Sequence, residues 1–550
     1  MTESGNPTTK SEKEIPALYD KGLNPETVPS VVIQILVFTV IVAGALAWYY
    51  SYVSELKRVA ELFAKAREVQ AGGDATAFLE ARRYYTETNK ILEDDRLLAH
   101  MGEVTALLYG VYGMDDLSGE AADYLSEMRA RDLRKAERYA AEAYFFLGQG
   151  RENPEAYGQA ESVITAMTSQ GIRHGKMLHA LSLATTAQGR PEEGQKAAEE
   201  GMKLATKLVR LPIAQGDALL AQEKYGSARA AYARALATNG QHIWARTAVQ
   251  LTDAITRQGK PVLLLRECDK LLTELTVLHG ENVPVRTKAF ILSTKGEVNL
   301  IGGEAQEALK FAEESIATYR YAARTHLLKG RALTRLGKAD EAKAAFAEAT
   351  KLAPKSLDIA KQIVWHLNLS EDKEGALATL EAIKTANPDE RLVYVELVKA
   401  YIANEKLDEA KAAADETIAR LGDAHELANL SMARVHLAKK EKEEAKAALV
   451  EAHTNKGKPW AELTVELAKF GLLDGDKMGA ANTMVEAIKL YEKENATVEI
   501  MYQAYTQAAA AMKNVGSWAQ LQKSKELDTE AQLLWVKEAP AVDGAAEATP

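Results

Sequence analysis

Apolar positions in this chain fall in short runs with helical spacing, separated by polar or glycine-containing breaks. In residues 323–336, Leu327, Leu328 and Leu333 are apolar with charge between them, which predicts a helix. Gly337, Lys338 and Ala339 break it. Asp340 is placed to cap a second helix, its carboxylate accepting a free backbone N–H of the first turn. That helix runs through Ala342, Phe346, Ala349 and Leu352 and stops at Pro354, which cannot continue it. Gly330 and Ala342 are small where two helix backbones must approach, and Phe346 is large enough to fill the gap to a neighbour. Such a pair cannot bury its apolar face alone, so it predicts further pairs stacked on it.

The pair recurs. Ala308, Ala342, Ala376 and Ala410 are each 34 residues apart; Gly296 and Gly330 lie 12 before the first two, and Pro354 and Pro388 lie 12 after the second and third. Several positions sharing one step in this range are the mark of a solenoid. The step continues upstream through Ala228, Gly194 and Ala160, with Gly216 and Gly148 ahead of them, and Tyr232 and Ala235 in the places of Phe346 and Ala349. Downstream, Ala445 and Ala480 follow at 35-residue steps, and Asp408 repeats the position of Asp340. Between Ala228 and Ala308 the 80 residues make two periods plus 12, which predicts one degenerate unit (243–257 and 262–278) and a loop at 278–284. Before residue 140 the signal fades into helices at 77–92 and 96–112 and one long helix over 119–146.

Gly330, Ala342, Phe346, Ala349 and Pro354 resemble the small and bulky signature positions of the tetratricopeptide repeat, and the frame extends over about 140–490. The resemblance implies an all-α chain, an α-solenoid of tandem helix–turn–helix repeats that acts as a protein–protein interaction scaffold. In that family the first helix of each pair lines the concave face. Arg324, Arg331 and Arg335 would then share one stripe with Lys361, Gln362 and Trp365 on the next unit and Glu396 and Lys399 beyond. This implies a groove with a basic centre for an acidic or extended peptide segment of other proteins, with arginine forks on carboxylates and Trp365 as an anchor. The alternative is ordinary repeat surface with Trp365 packed between helices. The family's carboxylate clamp of Lys and Asn is not reproduced, since Ser293 and Glu297, Leu327 and Arg331, then Lys361 and Trp365 hold that register.

A second pattern stands near the N-terminus. Residues 27–54 carry no charge, and 31–47 are almost wholly apolar, with Gln34 and Thr39 the only polar side chains. About 20 such residues span a bilayer core. Trp48, Tyr49, Tyr50 and Tyr52 close the run where amphipathic rings favour the interface. The expectation is a membrane helix at 29–52, with residues 31–52 holding the chain in a cell membrane as a single pass, of the bacterial inner-membrane kind. A cleaved signal peptide is the rival, because Ala45-Leu46-Ala47 has a small-x-small form; the polar stretch 1–28 ahead is longer than a usual signal n-region. Lys57 and Arg58 pull the following domain toward the cytoplasm. A lone N-terminal anchor before a large domain is an export design and leans the other way, toward the periplasm. The expected order is therefore a polar tail (1–28), the membrane helix, a juxtamembrane helix with atypical pairs (53–139), the solenoid (140–536) and a disordered tail (537–550).

Composition narrows the function classes. Of 550 residues 47% are hydrophobic, and the formal net charge is −10. That balance argues against a nucleic-acid surface, which needs clustered positive charge. One cysteine, Cys268, excludes an intramolecular disulfide framework and a thiolate zinc cluster. Cys268 lies among leucines and reads as a buried small side chain. His174 and His179 are five apart rather than four and read as polar helix surface, so no metal or other cofactor is expected. The Gly-Lys pairs at 259–260 and 337–338 lack the rest of a phosphate loop. Glu192-Glu193 and Glu443-Glu444 read as solvated helix starts. No enzyme is expected. A membrane-anchored scaffold leads, a structural subunit of an envelope or motility machine is the alternative, and an enzyme with an unrecognised site is third.

Overall fold

The computed structural model describes residues 28–280, 283–494 and 496–535. The expected tails at 1–28 and 537–550 lie outside the described residues except for residue 28, as do two positions of the 278–284 loop. The described residues contain 26 α-helices and one 3-10 turn, and among them no strand. They fall into two units divided between Ala64 and Lys65.

The first unit is carried by one helix, Val28–Gln70, which crosses that division. Its 43 residues correspond to roughly 65 Å at 1.5 Å each. It runs past the expected end at residue 52 because Glu55, Lys57, Arg58 and the residues after them include no helix breaker before Gly72-Gly73. Over residues 32–52 its apolar side chains have no protein cover: Phe38 is 68% and Ile41 62% exposed. Trp48 and Tyr52 stack at 5.6 Å at the end of that stretch. It is the one helix among the described residues long and apolar enough to cross a membrane.

The second unit is a succession of antiparallel helix pairs, each packed on the next. The pair that set the register is Ala323–Arg335 with Ala339–Leu352. Both helices bury one stripe, Leu327, Leu328 and Leu333 against Ala342, Phe346 and Ala349, and burying a side chain such as Phe346 contributes about 2–3 kcal/mol. The periodic alanines are packing positions: Ala228, Ala308, Ala342, Ala376, Ala410, Ala445 and Ala480 are all buried. Gly330 faces Phe346 of its own pair, whose ring would lie 2.3 Å from any added Cβ, and the same ring reaches His366 of the next unit at 5.9 Å. Gly216 stands to Tyr232 as Gly330 does to Phe346, at 2.4 Å.

Four successive pairs turn through one residue in the left-handed region. Gly303, Gly337, Glu371 and Glu405 hold this place, with φ of 86°, 74°, 60° and 59°. The next residue donates back across the turn at the helix C-terminus: Lys338 N to Leu333 O at 2.9 Å, Asp372 N to Leu367 O at 2.8 Å and Lys406 N to Tyr401 O at 2.9 Å.

Three expectations change. Asp340 and Asp408 do not cap: the N-cap positions are Lys338 and Lys406, and the aspartates lie in the first turn, where the helix dipole favours negative charge. Residues 119–146 are two helices, Ser118–Ala130 and Ala136–Gln149, because Asp132 takes a φ of 45° and Leu133 N closes on Met128 O at 3.0 Å. The extra 12 residues after Ala228 are absorbed partly as helix, since Pro261–His279 has 19 residues and Val285–Ile301 has 17, against 13 for Ala323–Arg335.

Within this unit, pairs far apart in sequence also touch. Gly189, at φ 74°, is where a Cβ would come within 2.1 Å of the Lys355 carbonyl oxygen, and its own carbonyl accepts from Asn387 Nδ2 at 3.3 Å. Only glycine meets both the dihedral and the clearance. These contacts bring the first helices of early, middle and late pairs around shared cavities.

Candidate partner-binding cavities

The inner faces of Leu357–Leu369, Val393–Ala403, Glu426–Lys439 and Ala461–Asp474 enclose, with Val498–Val515, a cavity of about 650 Å³. Lys361, Gln362, Trp365, Glu396 and Lys399 all line it. Sequence register brings them together because each first helix presents the same face at each 34-residue step. Trp365 is part-buried: its Nε1 donates to Gln503 Oε1 at 3.1 Å, and its ring meets His366 and Tyr502 edge-on.

The expected basic centre is not there. Lys361 pairs with Glu223, Lys399 with Glu396 at 3.1 Å and Glu462 at 3.6 Å, and Arg434 with Glu462 and Glu466 at 2.9 Å each. Glu223, Glu396, Glu462, Glu466 and Glu499 thus face Lys361, Lys399, Arg434 and Lys469 around one cavity. Lys399 in first place and Arg434 hold the Glu462 carboxyl well below the usual range, against the opposing effect of burial. Burial disfavours the Lys361 ammonium, but Glu223 and Glu396 outweigh it and raise its pKa.

Arg331 and Arg335 are not groove residues in the sense expected. The Arg331 guanidinium is buried, donating to Glu297 at 2.7 and 2.8 Å and to Glu499 at 2.6 Å. Arg335 is fully covered, bonded to the Leu300 carbonyl and 3.6 Å from Glu499. Burial raises the Glu499 carboxyl, yet Arg331 and Arg335 overcome it and leave it well below the ordinary range. Burial also pulls Arg335 down to about 10 and His366 down to about 3. Arg324 pairs with Asp358, one period on. The fork-and-carboxylate geometry foreseen for a partner is therefore made within the chain.

Arg434, Lys469, Glu462 and Gln503 escaped the sequence reading. Arg434 and Lys469 could have been found, because continuing the Arg331, Trp365, Lys399 column by 35-residue steps lands on them. Gln503 and Glu499 come from a helix that meets the column only through the fold.

The remaining chemistry-bearing residues are internal. His179 is buried rather than on the surface, bonded to Tyr144 Oη at 2.8 Å, and burial holds its pKa well down. His174 accepts from Lys176 N at 3.2 Å as a helix N-cap. Cys268 is buried, and burial pushes its thiol up to about 12, away from reactivity. His100, Glu103 and Glu137 bring ligand-type atoms within 4.8 Å of one another. Lys176 Nζ stands on both carboxylates, at 2.5 and 3.1 Å, and Arg210 is 3.3 Å from Glu103, so cations of the chain already fill the place of a metal.

This architecture defines an all-α array of stacked helix pairs. Residues 323–356 match the family model of the tetratricopeptide repeat. The matched unit is one of a series built on the same buried alanine column. Similar solved structures include the APC/C hetero-tetramer Cut9–Hcn1 (11% identity, 88% of each chain, TM-score 0.40) and yeast Tom70 (13%, 86% of this chain and 99% of that one, 0.36). The type IV pilus biogenesis factor PilW is a third (14%, 36% and 91%, 0.28). No curated protein sequence matches the chain.

Proposed function

We propose that this protein is a membrane-anchored scaffold that recruits partner proteins, holding an extended segment of the partner in the cavity around Trp365. The observation that carries the reading is that one face of four successive first helices opens on a single cavity of about 650 Å³. That volume lies within the roughly 300–1,000 Å³ range of binding pockets. Its wall alternates Lys361, Lys399 and Arg434 with glutamates, which favours a segment of mixed charge over a purely acidic one. Apolar lining from Val364, Ile402 and Ile500 supplies the remaining contact. The uncovered apolar helix ahead of the array supports membrane anchoring.

The test is affinity capture from solubilised membranes with the full chain and with Gln503→Arg. Gln503 is exposed at the cavity wall, so the variant narrows the cavity without touching the core. Loss of the captured proteins from the variant supports the reading, and unchanged capture removes it. Substoichiometric clients fit a recruiter, whereas a fixed-ratio complex fits a subunit of a larger machine. Removal of residues 1–52 is expected to release the chain from membranes; retention contradicts the anchor.

A further inference from the structure

A second cavity, of about 390 Å³, lies among the first helices of earlier pairs. Its wall is aromatic. Trp244 and Phe290 face each other with ring centroids 4.4 Å apart, both only part-buried, and Tyr157 and Tyr225 also line it. Four guanidiniums line the same space: Arg151, Arg286, Arg324 and Arg331. Three have a carboxylate of their own. Arg151 holds Asp115 at 2.7 Å, Arg324 holds Asp358, and Arg331 holds Glu297 and Glu499.

Arg286 differs. It donates one Nη1–H to the Val111 carbonyl at 2.6 Å and lies 5.3 Å over the Trp244 ring, but it has no ion-pair partner among the described residues. A guanidinium presents a fork of donors that one backbone carbonyl does not exhaust. Set against a low-dielectric aromatic wall, its charge gains most from an anion that brings its own apolar body.

We propose that this cavity binds a carboxylate attached to an apolar or aromatic group, with Arg286 as the carboxylate receptor and the Trp244–Phe290 pair as the wall for the attached group. A guanidinium matches a carboxylate in a planar two-bond fork. A doubly charged phosphate is disfavoured, because Asp217, Glu297 and Asp358 line the same cavity and would repel it. The carboxylate has two sources with one chemistry, a free small acid or the C-terminal residue of a peptide. The site is separate in its receptor residues from the Trp365 cavity and does not depend on the reading given to that one.

The experiment uses the full chain in lipid nanodiscs and ligand-observed NMR titration. The probes are 3-phenylpropionate and N-acetyl-Ala-Phe, each compared with its own primary amide. Saturable binding of at least one acid, at least tenfold tighter than its amide, is expected. Arg286→Gln should bring that acid down to the level of the amide, and Trp244→Leu should weaken acid and amide alike. Binding of the peptide acid alone assigns a chain terminus as the source, and binding of phenylpropionate alone assigns a free acid. Equal binding of acid and amide, or no saturable binding of either acid at millimolar concentration, overturns the proposal. The acid–amide comparison decides on the unaltered protein should the Arg286 variant fail to fold.

Discussion

Arg331, on the first helix of the matched repeat, and Glu499, 168 residues further along, form a buried ion pair at 2.6 Å. The pair ties a late helix to the middle of the array. Removing one partner of a buried pair leaves the other charge without compensation, at a cost of about 3–5 kcal/mol. Glu297 still faces Arg331, so Glu499→Gln should fall at the low end, about 3 kcal/mol, seen as lost amide protection in 498–515. The pH dependence follows from the sign of the shift. Glu499 is depressed in the folded state, so its contribution is present above the unfolded carboxyl pKa near ~4.3 and fades as pH falls below it. Glu499→Gln should therefore show a smaller loss of stability on acidification than the unaltered chain.

Gly337 and Glu371 occupy the same turn position one period apart, at φ 74° and 60°. A side chain in this region costs about 1 kcal/mol or somewhat more. Glu371→Gly should stabilise its turn by up to about 1 kcal/mol, and Gly337→Ala should destabilise by about the same amount, although a Cβ at Gly337 meets nothing within 4 Å. Opposite signs in thermal unfolding check the prediction; equal signs contradict the shared backbone register.

How much of this was legible depends on what each position does. The alanine column and Phe346 were readable because packing at a close contact restricts side-chain size. The left-handed turn position was not, although it keeps the same period, because Glu371, Glu405 and Lys440 stand where glycine would have announced it. The stripe of Lys361, Trp365 and Lys399 was readable through the resemblance to the repeat, whose first helices line one face. The covering of Arg331 and Arg335 was not, since Glu499 reaches them through a contact that no local pattern encodes. A charge on a predicted concave face looks the same in sequence whether it waits for a partner or is already matched.

Gly330 tests the packing of the repeat itself. Gly330→Ala places a Cβ against the Phe346 ring and should cost about 1–3 kcal/mol by overpacking. Adding Phe346→Leu should recover part of the loss, because the smaller side chain vacates the same space. Additive losses in the double variant would show that the two positions do not share a contact.

Asp217 accepts from Tyr232 Oη at 2.7 Å, and burial pushes its pKa up to about 6. Here the sign is opposite to that of Glu499. The folded state holds the proton more tightly than the unfolded one, so stability contributed by this group falls between about pH 4 and pH 6 as pH rises. The side chain is partly open to the cavity, which reduces the effect. Asp217→Asn, which keeps an acceptor for Tyr232, should raise stability at pH 7.5 by about 1 kcal/mol and flatten that part of the pH profile.

The most direct test of the scaffold reading is photo-cross-linking in native membranes with a benzophenone side chain at Asn368, on the wall of the Trp365 cavity, and at Lys343 on a second helix as the control. Discrete adducts to the same few proteins from Asn368, absent from Lys343, are the result the account predicts. No adducts from Asn368, or the same adducts from both positions, would contradict it.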